Sequence, residues 1–444
     1  MTQTEVRINH PDDLANHFHL FGKLTIVGNA VDEIQKYRAT HAAAGLSSNA
    51  SVTSNANSSN TTNVTPAKQP SLSTTAEVKA AYQTNNFAKI KELETKANND
   101  VLPVYTNIVN KGDSAWVKVQ ANNGQQYYMA WSASASVWSY TESIKPATDA
   151  NKAADSNTKY QAVVQFGTYS ASTSIAGIHS YNMGLTTMVV ESVIAMILAK
   201  CISGFIADGL GFLVAQFAVR LATAAAEMGL ESFSFAVPEF LIGAVAGCLC
   251  FAIVFIGIAY LWNWLNRLYT IRVQVFNWDA SHDWQLTTQS KSNAVNPGKD
   301  SNTNQLGINI DKMTDPNSTV YPPGFGPVTS LDTVCYYSII IYQNDNTFAE
   351  GCSFAIQGTK NNNKNTGFTY AFQCPRWSNN AQYMSGTVVD PNTFLNQASS
   401  HWQSNPQYFN VTTDGTPIGA KIDALSGASD DMYNVIININ KAAN

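Results

Sequence analysis

Charge is what this chain has least of. Asp, Glu, Lys and Arg make up 13% of its 444 residues, against about a quarter in an ordinary soluble domain. The net charge of −5 excludes the basic surplus that a nucleic-acid binder needs. It also excludes simple electrostatic attraction to anionic lipid. Cysteine is sparse: Cys201, Cys248, Cys250, Cys335, Cys352 and Cys374. None forms a C-x-x-C pair, so a zinc ribbon or thioredoxin motif is excluded. They read as buried thiols, and a disulfide among Cys335, Cys352 and Cys374 stays open. Catalytic signatures are missing too: no G-x-S-x-G, H-E-x-x-H, P-loop or G-x-G-x-x-G occurs. His17 and His19 are two apart, the wrong spacing for one helix face. His282 and Asp283 are adjacent, and neighbours on a strand point to opposite faces, so NWDASHDW reads as a turn. No enzyme, metal or cofactor is expected. The opening MTQTEVRINHPDDLANHF has no basic start followed by an apolar run, so it does not read as a signal peptide.

What is there is polar amide and hydroxyl, then long apolar runs. Residues 12–38 read as a helix opened by Pro11 and two Asp residues. Residues 46–77 are rich in Ser, Thr and Asn and nearly devoid of large apolar groups. Such a stretch buries too little to offset its ordering entropy, so it reads as a flexible loop. VKAAYQTNNFAKIKELETKA, residues 78–97, reads as an amphipathic helix. From 98 to 180 the Ala-rich, Trp-bearing segments favour packed helices. Apolar helices follow at 183–206, 209–229 and 238–266. After Arg267 the period switches: Ile271, Val273 and Val275 alternate with polar residues, which is strand spacing. Further strands are expected at 334–342, 352–357, 368–374, 408–412 and 432–440. The expected fold is α+β in two domains. Residues 1–268 would be an α-helical bundle with a central hydrophobic helix, and residues 269–444 an antiparallel β-sandwich.

The run FLIGAVAGCLCFAIVFIGIAYLW, residues 240–262, has no charge and holds 12 Leu, Ile, Phe or Val residues. On an insertion scale it favours a bilayer by roughly 4–7 kcal/mol. Its length, about 35 Å as a helix, matches the hydrocarbon core. In 183–206, Glu191 and Lys200 cancel the apolar gain. Helix 209–229 carries a polar stripe at Gln216, Arg220, Thr223 and Glu227. One fully apolar helix beside marginal neighbours suits a span stored inside a water-soluble bundle. At a membrane the stripe would line water. Phe240, Leu249, Phe251, Val254, Phe255, Ile258 and Trp262 would meet lipid.

This layout resembles the α-helical pore-forming toxins, the three-domain insecticidal crystal toxins above all. The later segments IRVQVFNWDASHDWQL, FTYAFQCPRWSNNAQYM and MYNVIININ resemble the actinoporin and aegerolysin type of membrane-binding sandwich. That resemblance implies lipid-headgroup contacts at Pro375, Trp377 and Tyr383, and Arg376 departs from its pattern. Trp and Tyr favour membrane interfaces on physical grounds as well. The expected function is therefore a soluble pore-forming toxin, insecticidal or defensive, acting at a target-cell membrane after release or ingestion. Its partners would be membrane lipid, or a glycan or protein receptor, and further copies of itself. A resident membrane protein with spans in 183–262 and a lectin-like module on a helical stalk are the alternatives.

Overall fold

The computed structural model describes residues 23–43, 64–147, 158–207, 221, 223–230, 270–296, 304–313, 333–344, 351–375, 377–426 and 432–444. It corrects the expected helical bundle. Strand β1 (Leu24–Asn29) stands where a helix was expected, and helix α1 (Ala30–Ala43) follows. Within the polar stretch, Val64–Thr74 forms β2. The expected helix 78–97 is two helices, α2 (Ala76–Gln83) and α3 (Phe87–Lys111). Asn85 takes φ 51° between them, and Asn86 caps α3 by accepting from the Lys89 N–H at 3.1 Å.

The expected helices of 98–180 give way to strands beyond α3. These are β3 (Val117–Ala121), β4 (Gln126–Trp131), β5 (Ala135–Pro146), β6 (Tyr160–Ser170) and β7 (Ile175–Leu185). The reason is packing on both faces. Tyr127, Met129, Trp138 and Tyr140 are buried on one side with Leu24, Val119 and Tyr169. Tyr128, Ala130 and Val137 are buried on the other, beneath α3 and α4 (Glu191–Ala207). A strand buried on both faces shows a near-continuous apolar run instead of clean alternation. Apolar helix α4 begins at Glu191, because β7 takes the residues up to Leu185.

The later strands are β8 (Thr270–Asn277), β9 (Trp284–Ser292), β10 (Ala294–Val295), β11 (Gln305–Ile310), β12 (Thr333–Asn344), β13 (Cys352–Lys360), β14 (Asn363–Cys374) and β15 (Ala381–Ser385). Helix α5 (Pro391–Gln397) and β16 (Tyr408–Thr413), β17 (Thr416–Ile422) and β18 (Met432–Ile439) complete the order. Of these strands, β8, β12, β13, β14, β16 and β18 cover the expected segments, and β9, β10, β11, β15 and β17 are additional.

Among the described residues the larger sheet runs β1-β3-β4-β5-β6-β7-β2-β12-β8-β18-β17-β16, with β10 on β12. Strand β2 pairs with β7 on one side and β12 on the other. The sheet is therefore continuous across residue 268. It is not purely antiparallel, since β18 runs parallel to β8 from Thr270↔Met432 to Asn277↔Ile439. The smaller sheet, β11-β9-β13-β14-β15, packs against the later strands. Tyr342 and Phe354 stack across that interface at 3.9 Å, and Phe372 meets Tyr433 at 6.1 Å.

Strand β8 alternates as expected, yet its polar residues are buried as well. Helices α2 and α3 cover that face. Arg272 pairs with Glu94 of α3 at 3.2 Å and donates to Asn434 at 2.7 Å. Asn438 donates to the Tyr82 carbonyl at 2.9 Å and to Asn85 at 2.8 Å. Cys352 and Cys374 face each other in register across β13–β14, and neither is in a disulfide.

Candidate functional site

The hairpin β14–β15 carries the three residues singled out for lipid contact. Its strands are fixed by register from Thr369↔Ser385 to Gln373↔Ala381. Its loop is pinned at the far end, where buried Asn380 donates its N–H to the Leu425 carbonyl at 3.0 Å. Between these anchors Pro375 is half-buried and Trp377 is 86% exposed. Trp377 has the most exposed side chain among the described large apolar residues. An indole with its apolar body in water gains about 3–5 kcal/mol on transfer to an apolar surface, at about 25 cal/mol per Å².

Tyr383 has a different role. It lies in β15 on the outer face of the smaller sheet, between Phe394 of α5 at 4.9 Å and His401 at 5.0 Å. Val389, Leu395 and Trp402 pack with it around Ala355, Ala371 and Phe394. It holds α5 onto the sheet, while its edge stays accessible. Asp390 starts α5 by accepting from the Thr393 N–H at 2.9 Å, and Pro391 fits the first turn. Tyr408, at the start of β16, is also exposed. The chain reaches it along a segment held to β15 by Gln382, which donates to the Pro406 carbonyl at 2.7 Å. Tyr408 carried no signal in the sequence beyond being aromatic.

The expected inserting residues Phe240, Leu249, Phe251, Val254, Phe255, Ile258 and Trp262 lie outside the described residues, as do Gln216 and Arg220. Thr223 and Glu227 belong to a helical turn at 223–227. Glu227 is ion-paired with Lys200 of α4 at 2.9 Å, and its carbonyl accepts from Arg38 Nε at 2.9 Å. Among the described residues no helix is long and apolar enough to cross a membrane.

The histidine of NWDASHDW does have an acidic partner, though not its neighbour. His282 Nδ1 lies 2.8 Å from Asp279 Oδ2. Burial pushes the Asp279 carboxyl up, but the Ser281 N–H and the His282 ring outweigh it and hold the carboxyl below its usual value. Asp279 also accepts from the Ser281 N–H at 2.8 Å, so the pair closes the β8–β9 connection as a turn. Among the described residues no group of three or more His, Cys, Asp or Glu side chains could hold a metal ion.

No protein-family model matches this chain. No curated protein matches it either. Among solved structures, the lipid binding protein Nakanori is similar over 39% of this chain and 71% of its own, at 10% identity and a TM-score of 0.25. RahU, solved in complex with a TRIS molecule, covers 40% of this chain and 97% of its own at 9% identity and TM-score 0.21. IP-1A from Alcaligenes faecalis covers 39% and 91% at 12% identity and TM-score 0.19. At such scores these likenesses carry no argument about fold or activity.

Proposed function

We propose that this protein binds lipid bilayers through the β14–β15 loop and then permeabilises them as a pore former. The observation that carries the binding step is Trp377, 86% exposed on a loop whose ends are held by strand pairing and by Asn380. An anchored loop presents its indole without a large ordering cost on binding. Trp at a bilayer interface keeps its apolar body among acyl chains and its N–H at the headgroups.

The permeabilising step rests on the apolar run 240–262 beside the marginal helix α4. In this reading several copies assemble, and the segments 191–229 and 238–266 enter the membrane as a hairpin. Helix α4 is buried against β4, β5 and β6. Insertion requires it to leave the Trp116 indole, which donates to Ser203, and Asp113, which holds Lys200 at 2.7 Å.

Liposome sedimentation and dye release separate the two steps. Trp377→Ala is expected to weaken liposome binding at least tenfold, which takes only about 1.4 of the roughly 3–5 kcal/mol that an indole transfer is worth. Val254→Asp is expected to reduce dye release strongly while sparing sedimentation, because a central Asp cancels roughly 2.5–3.5 of the roughly 4–7 kcal/mol that favours insertion. Unchanged sedimentation of the Trp377 variant overturns the binding site. Full dye release by the Val254 variant overturns the hairpin.

A further inference from the structure

The hairpin β13–β14 brings two thiols together. Asn361 and Asn362 take φ 50° and 56°, and Lys360 pairs with Asn363 around them. Two positive-φ residues between paired positions are what a tight hairpin turn requires. Beyond a bulge at Lys360 the register runs unbroken from Thr359↔Gly367 to Cys352↔Cys374. Cys352 opens β13 and Cys374 ends β14, so they form the last rung of the ladder. Residues directly opposite on antiparallel strands share a face, with Cα atoms about 4.5–5.5 Å apart. A disulfide spans about 4.4–6.8 Å between Cα atoms. The next rung on that face is Phe354↔Phe372, with ring centroids 6.0 Å apart. Phe354 also stacks on Tyr342 at 3.9 Å. This aromatic layer holds both strands in place beneath the thiols.

The buried cysteines differ in chemistry. Cys335 of β12 is 1% exposed, and its thiol donates to the Asn277 carbonyl at 3.5 Å. Burial pushes that thiol well above its usual value, which makes it inert. Cys352 is almost as buried, at 2%. Its thiol is nevertheless held below the usual value, because hydrogen bonding with the Cys374 thiol outweighs burial. Sulfur meets sulfur here, and neither is in a disulfide.

We infer that Cys352 and Cys374 are an oxidative modification site, a dithiol that a peroxide closes to a disulfide across the end of β13–β14. The inference does not rest on the function proposed above. The Cys352 thiolate attacks one peroxide oxygen and becomes a sulfenic acid. The O–O bond breaks, and the leaving hydroxide takes up the proton that Cys352 released, giving water. The Cys374 thiol then attacks the Cys352 sulfur. An S–S bond forms, the S–O bond breaks, and a second water leaves with the Cys374 proton. Two electrons pass from the two sulfurs to the peroxide. Burial screens the pair from bulky oxidants. A peroxide reaches it when the terminal rung opens, which costs less at a strand end than in the middle of a sheet. The new bond ties the ends of the hairpin together and restricts the unfolded chain.

Peptide mapping of the full chain tests this, after brief exposure to hydrogen peroxide and alkylation of the remaining thiols in denaturant. A peptide pair joined through Cys352 and Cys374 is expected, with Cys201 and Cys335 recovered as alkylated thiols. Dithiothreitol should restore alkylation of both joined cysteines. The oxidised chain is expected to have a higher urea midpoint than the reduced chain. In Cys374→Ser the sulfenic acid has no resolving thiol. Dimedone is expected to trap it at Cys352 several-fold more than in the wild-type chain, which a merely buried cysteine would not show. If that variant fails to fold, the mapping of the wild-type chain still decides. Recovery of Cys352 and Cys374 as separate thiols after peroxide overturns the inference, as does a cross-link from either to another cysteine. An unchanged urea midpoint in the cross-linked chain overturns the tie between the strand ends.

Discussion

Lys291 illustrates how single residues in this fold respond to burial. It sits in β9 with its ammonium 3.0 Å from Asn296 Oδ1, in a polar cluster that joins Gln289 to the Tyr342 hydroxyl. Burial pushes it down from 10.5 to about 8. A lysine that prefers to be neutral when folded is a liability while it is charged. Below about pH 8 the penalty is fully present. Between that value and its unfolded value the unfolded chain binds the extra proton, so stability rises with pH. The urea midpoint of the wild-type chain is expected to gain on that of Lys291→Met between about pH 7.5 and 9.5. Parallel curves for the two proteins would show that Lys291 titrates at its ordinary value. Gly167 shows the opposite limit, where no atom can be added. A Cβ there would overlap the indole of fully buried Trp138 across β5–β6. Gly167→Ala is expected to lose about 1–3 kcal/mol in chemical denaturation, the usual cost of overpacking.

Helix α4 is the element on which the proposed permeabilising step turns. Its middle, Val193 to Ile202, is almost wholly buried, and three polar ties locate it. Ser139 donates to the Ala195 carbonyl at 2.8 Å, the Trp116 indole donates to Ser203, and Lys200 bridges Asp113 and Glu227. Burial alone would lower the Lys200 pKa, but its two carboxylate partners raise it above the ordinary value. Lys200 therefore stays charged, and the tie holds through neutral pH. Asp113 and Glu227 are partly exposed, at 31% and 45%, so the bridge contributes only about 1 kcal/mol. Lys200→Met is expected to speed amide hydrogen exchange along α4 several-fold and leave β12 unaffected. Exchange that stays unchanged in α4 would mean that apolar packing alone retains the helix.

At the scale of the whole molecule, the sheet joins what periodicity separates. Strand β2 lies between β7 and β12, and α2 and α3 lie over β8 and β18. Tyr82 meets Phe276 at 5.2 Å, and Arg272 reaches Glu94. A fragment of residues 269–444 would bare the β12 edge that β2 occupies. It would also leave Arg272 and Asn438 without their partners in the helices. An open edge beside buried charge invites association. The isolated fragment is expected to aggregate in gel filtration under conditions where the full chain does not. A monomeric fragment of unchanged stability would show that the later strands fold without the earlier ones.

By itself the sequence determined the local events. Period-two runs such as Ile271–Val275 and the residues of β12 and β18 formed strands, because one period governs which face a side chain takes. The polar, Lys-bearing face of α3 and its apolar stripe at Ile90, Leu93 and Ala97 were legible for the same reason, while its continuation to Lys111 was not read as part of that helix. Of the candidate site, Trp377 was legible as an interfacial residue type between two strand signals. The tertiary structure decided the rest. Strands β3–β7 are covered on both faces, and that coverage erased the alternation that would have announced them. Strand β2 formed from a stretch with little apolar surface of its own, since two neighbouring strands supply the hydrogen bonds that an isolated segment lacks. Tyr383 became a packing residue once α5 lay over it. Periodicity is local and survives in the chain; pairing and burial are relations between distant segments, and only the folded molecule contains them.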